Sequence, residues 1–290
     1  MATMSYSLLA LLLSFPFLLG TGNSATFTIL NQCAYTVWPG LSSGADSPQL
    51  STTGFVLEVG KSNAITIPSG WSGRIWARTY CSQDSTGRFT CATADCGSRT
   101  IDCKGKGATP PATFAEITLN GLDGLDFYDI SLVDGYNLPI SITPQNGTEI
   151  GGGNCPTVEC AKDINSHCPA KLRLTDRDGS GKGVACKSAC EAFGDAKYCC
   201  SDEFGSPDTC KPSSYSQFFK SACPRAYTYA YEDGNTFGCN GANYLITFCP
   251  SPHWQPPHIV DTSRAERSRI LSMFVALISI MMAALSRQFY

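Results

Sequence analysis

The sequence predicts a mainly β protein, a β-sandwich that carries a disulfide-rich region of loops and short helices. Segments that alternate apolar and polar residues recur along the first half of the chain, separated by clusters of Gly, Pro, Ser and Asn. The chain also has sixteen cysteines, an even number typical of a disulfide framework. Hydrophobic residues make up 43% and charged residues 16%, which is enough apolar material for a large core.

The predicted strands form two sets in the first half of the chain and one further strand near residue 245. The first set comprises residues 27–30, 35–38, 55–59, 64–67 and 74–78, and the second comprises residues 114–119, 127–133 and 138–143. Residues 244–248 resume the pattern and are expected to rejoin the first sheet. We therefore place the sandwich core at about 25–150 and 240–250, within a domain spanning 25–250.

The composition changes after three consecutive glycines at 151–153, where cysteines become dense and the strand pattern fades. Residues 185–193 fit a short helix that Gly194 would end. A second helix is expected after Ser214, with Gln217 completing a capping box. Because such a region buries little apolar surface, residues 151–239 are expected to depend on disulfides.

The N-terminus resembles a secretory signal peptide. Residues 8–19 are almost wholly apolar, and small residues follow up to a cleavage site near Ser24 or Ala25. We interpret residues 1–24 as a signal peptide, which predicts a secreted protein in an oxidising compartment, the extracellular space or cell wall.

The C-terminus leaves three interpretations open. Residues 251–269 form a Pro-rich and polar linker, and residues 270–290 form an apolar tail. The apolar run at 270–285 is shorter than the ~20 residues of a membrane span. Small residues at 261–263 followed by this run resemble the signal for a GPI anchor on the outer face of the plasma membrane. A GPI anchor, a membrane span and a merely appended tail therefore all remain, and the first two imply membrane association.

Charge and motifs argue against several functions. Twenty-one basic and twenty-four acidic residues form no basic stripe, so no nucleic-acid partner is expected. No C-x-x-C motif occurs, and we expect no metal and no cofactor. The calcium-like run that starts at Asp176 has Lys187 where the bidentate Glu should stand, which indicates an ordinary loop. We expect a monomer, and the sequon at Asn146 predicts N-glycosylation.

Several longer motifs identify a resemblance to the thaumatin-like (osmotin-like) pathogenesis-related family. They are residues 87–96 (GRFTCATADC), 111–116 (PATFAE), 126–139 (DFYDISLVDGYNLP), 198–200 (YCC) and 218–224 (FFKSACP). The resemblance covers about 25–250 and implies the thaumatin-like fold. It also implies eight disulfides: Cys33–Cys249, Cys81–Cys91, Cys96–Cys103, Cys155–Cys239, Cys160–Cys223, Cys168–Cys186, Cys190–Cys199 and Cys200–Cys210.

The acidic residues look scattered when considered without the resemblance. Glu116 projects from the face of a strand opposite its apolar neighbours. Asp129 and Asp134 are five residues apart, so they would face opposite ways unless the chain bends between them. Arg74 lies on another predicted strand. From the residues alone these side chains are solvated charges.

The resemblance implies that these residues line one acidic cleft. Its members would be Arg74, Glu116, Asp129, Asp134 and Asp233, with Glu232 as the alternate for the last. Clustered carboxylates repel one another, so at least one pKa is expected to rise, with Arg74 offsetting part of the rise. Four rings are candidates for stacking on sugars: Phe114, Tyr128, Tyr136 and Tyr227.

The implied function is a secreted, plant-type defence protein. It would bind β-1,3-glucan or another cell-wall polysaccharide and act on fungal walls or membranes. One alternative is a weak endo-β-1,3-glucanase, with Glu116 as general acid and Asp129 as nucleophile or base. Another is a GPI-anchored, non-enzymatic protein of the cell surface or wall.

Overall fold

The computed structural model describes residues 24–176 and 181–250 of the 290-residue chain. The predicted signal peptide up to residue 23, the centre of the calcium-like loop, and the linker and tail from residue 251 lie outside the described residues.

The described residues form thirteen strands and three short α-helices. The strands are β1 (Ala25–Asn31), β2 (Trp38–Ser43), β3 (Ser62–Ile67), β4 (Ser72–Gln83), β5 (Phe89–Thr93), β6 (Phe114–Thr118), β7 (Asp126–Ser131), β8 (Ile140–Gln145), β9 (Val158–Cys160), β10 (Arg173–Thr175), β11 (Gly183–Cys186), β12 (Phe237–Cys239) and β13 (Asn243–Phe248). The helices are α1 (Ala189–Phe193), α2 (Ala196–Cys199) and α3 (Ser214–Ala222). Single 3-10 turns lie at Leu122–Gly124, Asn165–His167 and Asp202–Phe204.

Two sheets supply the core. One has the order β3-β1-β13-β8-β9, and the other has the order β12-β7-β6-β4-β2 with β5 also paired to β4. In β1 every second side chain is buried, as expected for a strand with one face on a core. Phe27 of β1, Ile75 of β4 and Ile246 of β13 belong to the same buried cluster. The predicted mainly β fold is confirmed.

The last strand closes the first sheet, as its sequence pattern predicts. β13 lies parallel to β1 and antiparallel to β8. Cys33 follows β1 and Cys249 follows β13, and these two residues form a disulfide. All eight disulfides have the pairing that the family resemblance implies, and no free cysteine remains among the described residues.

One predicted strand, the position of another and the start of one predicted helix are wrong. The strand predicted at 35–38 lies at Trp38–Ser43 instead, so the two ranges share only Trp38. Residues 55–59 pair only through an isolated bridge between Val37 and Leu57. Residues 185–186 belong to β11, because they pair with β10, and α1 begins only at Ala189, where the Ser188 side chain caps it. Gly194 does end α1, in the left-handed conformation at φ 68°.

The second helix is capped one residue earlier than predicted. Ser213 is the N-cap of α3, and its hydroxyl accepts a hydrogen bond from the backbone N–H of Ser216 at 3.1 Å. The Ser216 hydroxyl in turn accepts from the backbone N–H of Ser213 at 2.8 Å, so Ser216 takes the role expected of Gln217.

A buried arginine ties β4 to its neighbours. The side chain of Arg78 is fully buried, and it donates to the backbone carbonyls of Trp38 at 3.0 Å, Pro39 at 3.1 Å and Ile101 at 2.6 Å. Burial lowers the pKa of Arg78 from 12.5 to about 10. The guanidinium thus supplies the donors that three carbonyls need.

Replacing Arg78 with methionine is expected to lower the free energy of unfolding by about 3 kcal/mol, because it removes the donor from three carbonyls, of which that of Pro39 is buried. Guanidinium unfolding with the disulfides intact measures this loss. The exposed Arg88 provides a matched control, and Arg88→Met is expected to change stability by less than about 0.5 kcal/mol. Equal effects of the two variants would contradict the structural role of Arg78.

Candidate functional site

Strand register brings three of the predicted site residues together. In the pairing of β4 with β6, Arg74 lies opposite Glu116, and in the pairing of β6 with β7, Glu116 lies opposite Asp129. Directly opposed residues on neighbouring strands project from the same face of a sheet. The three side chains therefore form a row across the sheet, on the face away from the buried Ala115 and Ile117.

Arg74 connects the acids of this row. Its Nε atom lies 2.5 Å from Glu116 Oε1, and its Nη1 atom lies 3.7 Å from Asp134 Oδ2. Its guanidinium carbon also lies 5.0 Å from the centroid of the Phe114 ring. Arg74, Glu116, Asp129 and Asp134 are called the acidic cluster below.

Asp134 reaches Arg74 because the chain bends after β7, as the spacing from Asp129 requires. Gly135, the next residue, has φ 89° and donates its N–H to the Leu132 carbonyl at 2.9 Å. A Cβ atom at Gly135 would lie 2.7 Å from the Cys186 carbonyl oxygen. The turn therefore requires glycine on both conformational and steric grounds.

The predicted rise in carboxyl pKa falls on Asp129. Burial raises the pKa of Asp129 to about 8, the negative charge of Glu116 adds to the rise, and Arg74 opposes it. Its Oδ1 atom is buried and has no hydrogen-bond partner among the described residues. Near neutral pH, Asp129 therefore holds a proton beside Glu116.

This protonation order is the reverse of the roles given in the glucanase hypothesis. There Glu116 is the general acid and Asp129 is the nucleophile or base. In the structure Glu116 forms an ion pair with Arg74, whereas burial raises the pKa of Asp129 and favours its protonated form. Sequence alone could not assign these roles, because they depend on burial and register.

Three members of the acidic cluster line a groove with a volume of about 480 Å³, and Asp134 is not among its lining residues. Besides Arg74, Glu116 and Asp129, the groove is lined by a set of hydroxyl side chains and by one aromatic ring. The hydroxyls belong to Ser42, Ser43, Ser72, Thr118 and Thr236, and the ring belongs to Phe127. We call this surface the Arg74 groove; its lining offers hydrogen-bond donors and acceptors beside one apolar ring.

Most of the aromatic residues proposed for stacking are placed elsewhere. Tyr128 and Tyr136 have no exposed surface and Phe114 is 2% exposed, so these three rings belong to the core. The prediction missed Phe127, which has the opposite strand parity to Tyr128 and could have been found from that alternation. Tyr227 is partly exposed, and its hydroxyl lies 2.6 Å from that of Thr236 in the groove wall.

Glu232, the alternate site residue, is held by structural partners. It forms an ion pair with Lys220 of α3, and its Oε2 accepts from the Thr228 N–H at 2.7 Å. Burial opposes ionisation, but these hydrogen bonds hold the pKa of Glu232 below its ordinary value. Asp233 is exposed, and no hydrogen bond or ion pair between described residues joins it to the acidic cluster. The preference for Asp233 stays a prediction.

Asp129→Asn is expected to change how stability depends on pH. The folded pKa of about 8 lies above the ordinary 3.8, so the free energy of unfolding of the wild type falls as pH rises through this window. Asparagine keeps the shape and cannot ionise, so the variant should gain on the wild type by up to about 1.4 kcal/mol per pH unit across the window. Urea unfolding at several pH values tests this. The exposed Asp208→Asn variant serves as control, and parallel curves for wild type and Asp129→Asn would contradict the raised pKa.

Two absences apply to residues 24–176 and 181–250. In this part of the chain no helix is long and apolar enough to cross a bilayer. Nor do its His, Cys, Asp and Glu side chains form a group of three or more that could hold a metal ion.

Comparison with known proteins places the chain in a family. The chain is 54% identical over 230 residues to thaumatin-like protein 1 of Prunus persica, covering 79% of this chain and 91% of that protein. It is 51% identical over 233 residues to a protein of Prunus avium named glucan endo-1,3-beta-glucosidase, covering 80% and 93% of the two chains. It is 47% identical over 250 residues to the PR5-like receptor kinase of Arabidopsis thaliana, covering 85% of this chain and 37% of that protein.

The family profile agrees with these relatives and with the disulfide-linked sandwich. It matches residues 31–250, which is most of the chain and all but the first strand of the described fold. The chain therefore belongs to the Thaumatin family.

Proposed function

We propose that this member of the thaumatin-like defence family is a secreted, monomeric protein that binds β-1,3-glucan in the Arg74 groove and so acts on fungal walls or membranes. The observation that carries the proposal is the acidic cluster itself. Protonated Asp129 can donate a hydrogen bond and ionised Glu116 can accept one, as a pair of sugar hydroxyls requires. Phe127 offers an apolar ring to a pyranose face in the same groove.

Relatives support this choice of polymer. One relative of more than half identity is named for the hydrolysis of 1,3-β-glucan, and another is named a pathogenesis-related thaumatin-like protein, from Cryptomeria japonica. Other cell-wall polysaccharides share the hydroxyl chemistry, so the assay should include them.

Retention on insoluble β-1,3-glucan tests the proposal. We expect Glu116→Ala/Asp129→Ala to lose at least about tenfold in affinity, since it removes both the donor and the acceptor. Glu58→Ala/Asp208→Ala is a matched control, because it deletes two exposed carboxylates outside the groove and should bind like the wild type. Equal retention of all three proteins would exclude binding at the acidic cluster.

A weak endo-β-1,3-glucanase is the second candidate, favoured by the name of the Prunus avium relative and by the unequal protonation of the two acids. Asp129 would then be the general acid and Glu116 the base or nucleophile. Reducing-sugar release that survives both Glu116→Gln and Asp129→Asn would discard this candidate.

Secretion, glycosylation and anchoring complete the proposal. Asn146 and Thr148 of the sequon are exposed, which supports glycan attachment at Asn146. A glycosidase-induced mass shift that persists in Asn146→Gln would contradict that assignment.

For the anchored, non-enzymatic alternative, release from membranes by a phosphatidylinositol-specific phospholipase supports a GPI anchor. Retention after that treatment argues against one.

A further inference from the structure

A second groove lies apart from the acidic cluster. Its volume is about 430 Å³, and it shares no lining residue with the Arg74 groove. Its walls include two tyrosines and a set of polar side chains: Tyr35, Tyr80, Asp163, Asn165, Ser166 and Arg173. The proposed function uses none of these residues.

The two tyrosines form an exposed aromatic platform. Their ring centroids are 5.9 Å apart and their planes differ by 25°, so the rings stack on each other. Tyr35 is 39% exposed and Tyr80 is 45% exposed, although each presents a large apolar ring. Flat, exposed, stacked rings of this kind are suited to bind the apolar face of a ring-shaped ligand.

The backbone at Tyr80 supports a functional role for this platform. Tyr80 has φ 52°, in the left-handed region that bulky residues rarely adopt. The residue lies on β4, and both of its neighbours, Thr79 and Cys81, pair with β5. This pairing maintains the conformation of Tyr80. Conformations of this kind cluster at functional sites, where surrounding structure maintains them.

Polar groups beside the rings can satisfy hydroxyls. Asn165 donates through Nδ2 to the carbonyls of Asn137 at 2.8 Å and Val184 at 3.1 Å, which fixes the orientation of its amide. Its buried Oδ1 has no hydrogen-bond partner among the described residues. Asp163 adds an exposed acceptor, and the Arg173 guanidinium, which donates to the Cys168 carbonyl at 2.8 Å, adds N–H donors.

We propose that the Tyr35–Tyr80 platform is a second saccharide-binding site that takes a pyranose unit of a polysaccharide. The combination of an apolar stacking surface with a carboxylate and a guanidinium matches a sugar ring, which has C–H faces and a rim of hydroxyls. A proline-rich peptide could also stack on two tyrosines, but a proline residue has no donor for the Asp163 carboxylate or the Asn165 Oδ1 atom.

The position of the platform gives it a consequence for polymer binding. Arg74 and Tyr80 lie six residues apart on β4, which corresponds to about 20 Å along a strand. An insoluble polysaccharide can engage both sites at once, and two weak sites joined in one molecule bind more strongly than either alone. The platform site does not depend on the Arg74 groove being a binding site.

Fluorine NMR of the full secreted chain labelled with 3-fluorotyrosine tests the proposal directly on the wild type. Tyr35→Phe and Tyr80→Phe assign the two signals. The probes are laminaripentaose, cellopentaose, xylopentaose and trigalacturonic acid. Comparing them distinguishes neutral from acidic ligands and glucose-based from xylose-based ligands. We expect at least one of the four to shift both signals saturably, with the same response in Glu116→Gln.

Ring removal gives the second readout. Tyr35→Ala and Tyr80→Ala are expected to weaken binding of the responsive probe by about tenfold, whereas the phenylalanine variants keep it within about twofold. Two results would overturn the proposal: no shift with any of the four saccharides, even where a proline-rich peptide shifts the signals, or a shift that disappears in Glu116→Gln. The first would leave the proposed role of the Arg74 groove intact, so the two proposals fail separately.

Discussion

Replacing Cys33 and Cys249 together with alanine is expected to lower the free energy of unfolding by about 5 kcal/mol. The disulfide joins residues separated by 216 positions. Its loss therefore removes the longest loop constraint on the unfolded chain and raises the conformational entropy of the unfolded state. It also links the ends of β1 and β13, the parallel pair on which the first sheet closes. Guanidinium unfolding under oxidising conditions measures the loss.

A short-loop disulfide supplies the control for this prediction. Cys190 and Cys199 are separated by 9 positions, and the same loop-entropy argument gives about 2.5 kcal/mol for their removal. Alanine is used at all four positions to avoid burying new hydroxyls. If the short-loop variant lost as much stability as the long-loop variant, closure of the sheet would not be the main effect of Cys33–Cys249.

Affinity for β-1,3-glucan is expected to fall about tenfold between about pH 6 and about pH 9, because the raised pKa of Asp129 lies in that interval. Below it Asp129 donates a hydrogen bond to the sugar. Above it the residue loses this proton and places a second negative charge beside Glu116. Retention on the insoluble polymer, measured across the interval at constant ionic strength, tests this prediction.

Asp129→Asn provides the matched comparison for the pH series. Asparagine retains a donor and cannot ionise, so the variant should bind at low pH as the wild type does and keep that affinity at high pH. If the wild type and Asp129→Asn lost affinity in parallel as the pH rose, a group other than Asp129 would control the pH dependence of glucan binding. Asp208→Asn, outside the groove, should follow the wild type.

The sequence predicts the sandwich well where strands have one buried face. β1 alternates strictly between buried and partly exposed residues, and its boundaries differ from the prediction by two residues or fewer. The segment at 55–59 shows the limit of this reasoning. It has apolar residues at the right spacing, but only Leu57 makes a bridge, and β-pairing depends on a partner that the local pattern does not reveal.

The site shows a different limit. Alternation correctly places Glu116 on the outer face of its strand, but it says nothing about which residue of the next strand lies opposite. The register that sets Glu116 against Arg74 and Asp129 comes from long-range pairing, as does the turn that returns Asp134. Only the family resemblance indicated that the four residues meet, and only the structure indicates which of them holds the proton.

A crystal structure of the chain with laminarihexaose bound tests the Arg74 groove as the glucan site most directly. The predicted result is a sugar chain in the groove, with one pyranose against Phe127 and hydroxyls within hydrogen-bond distance of Glu116 and Asp129. Sugar bound only at other surfaces, with the Arg74 groove left empty at saturating ligand, would contradict it.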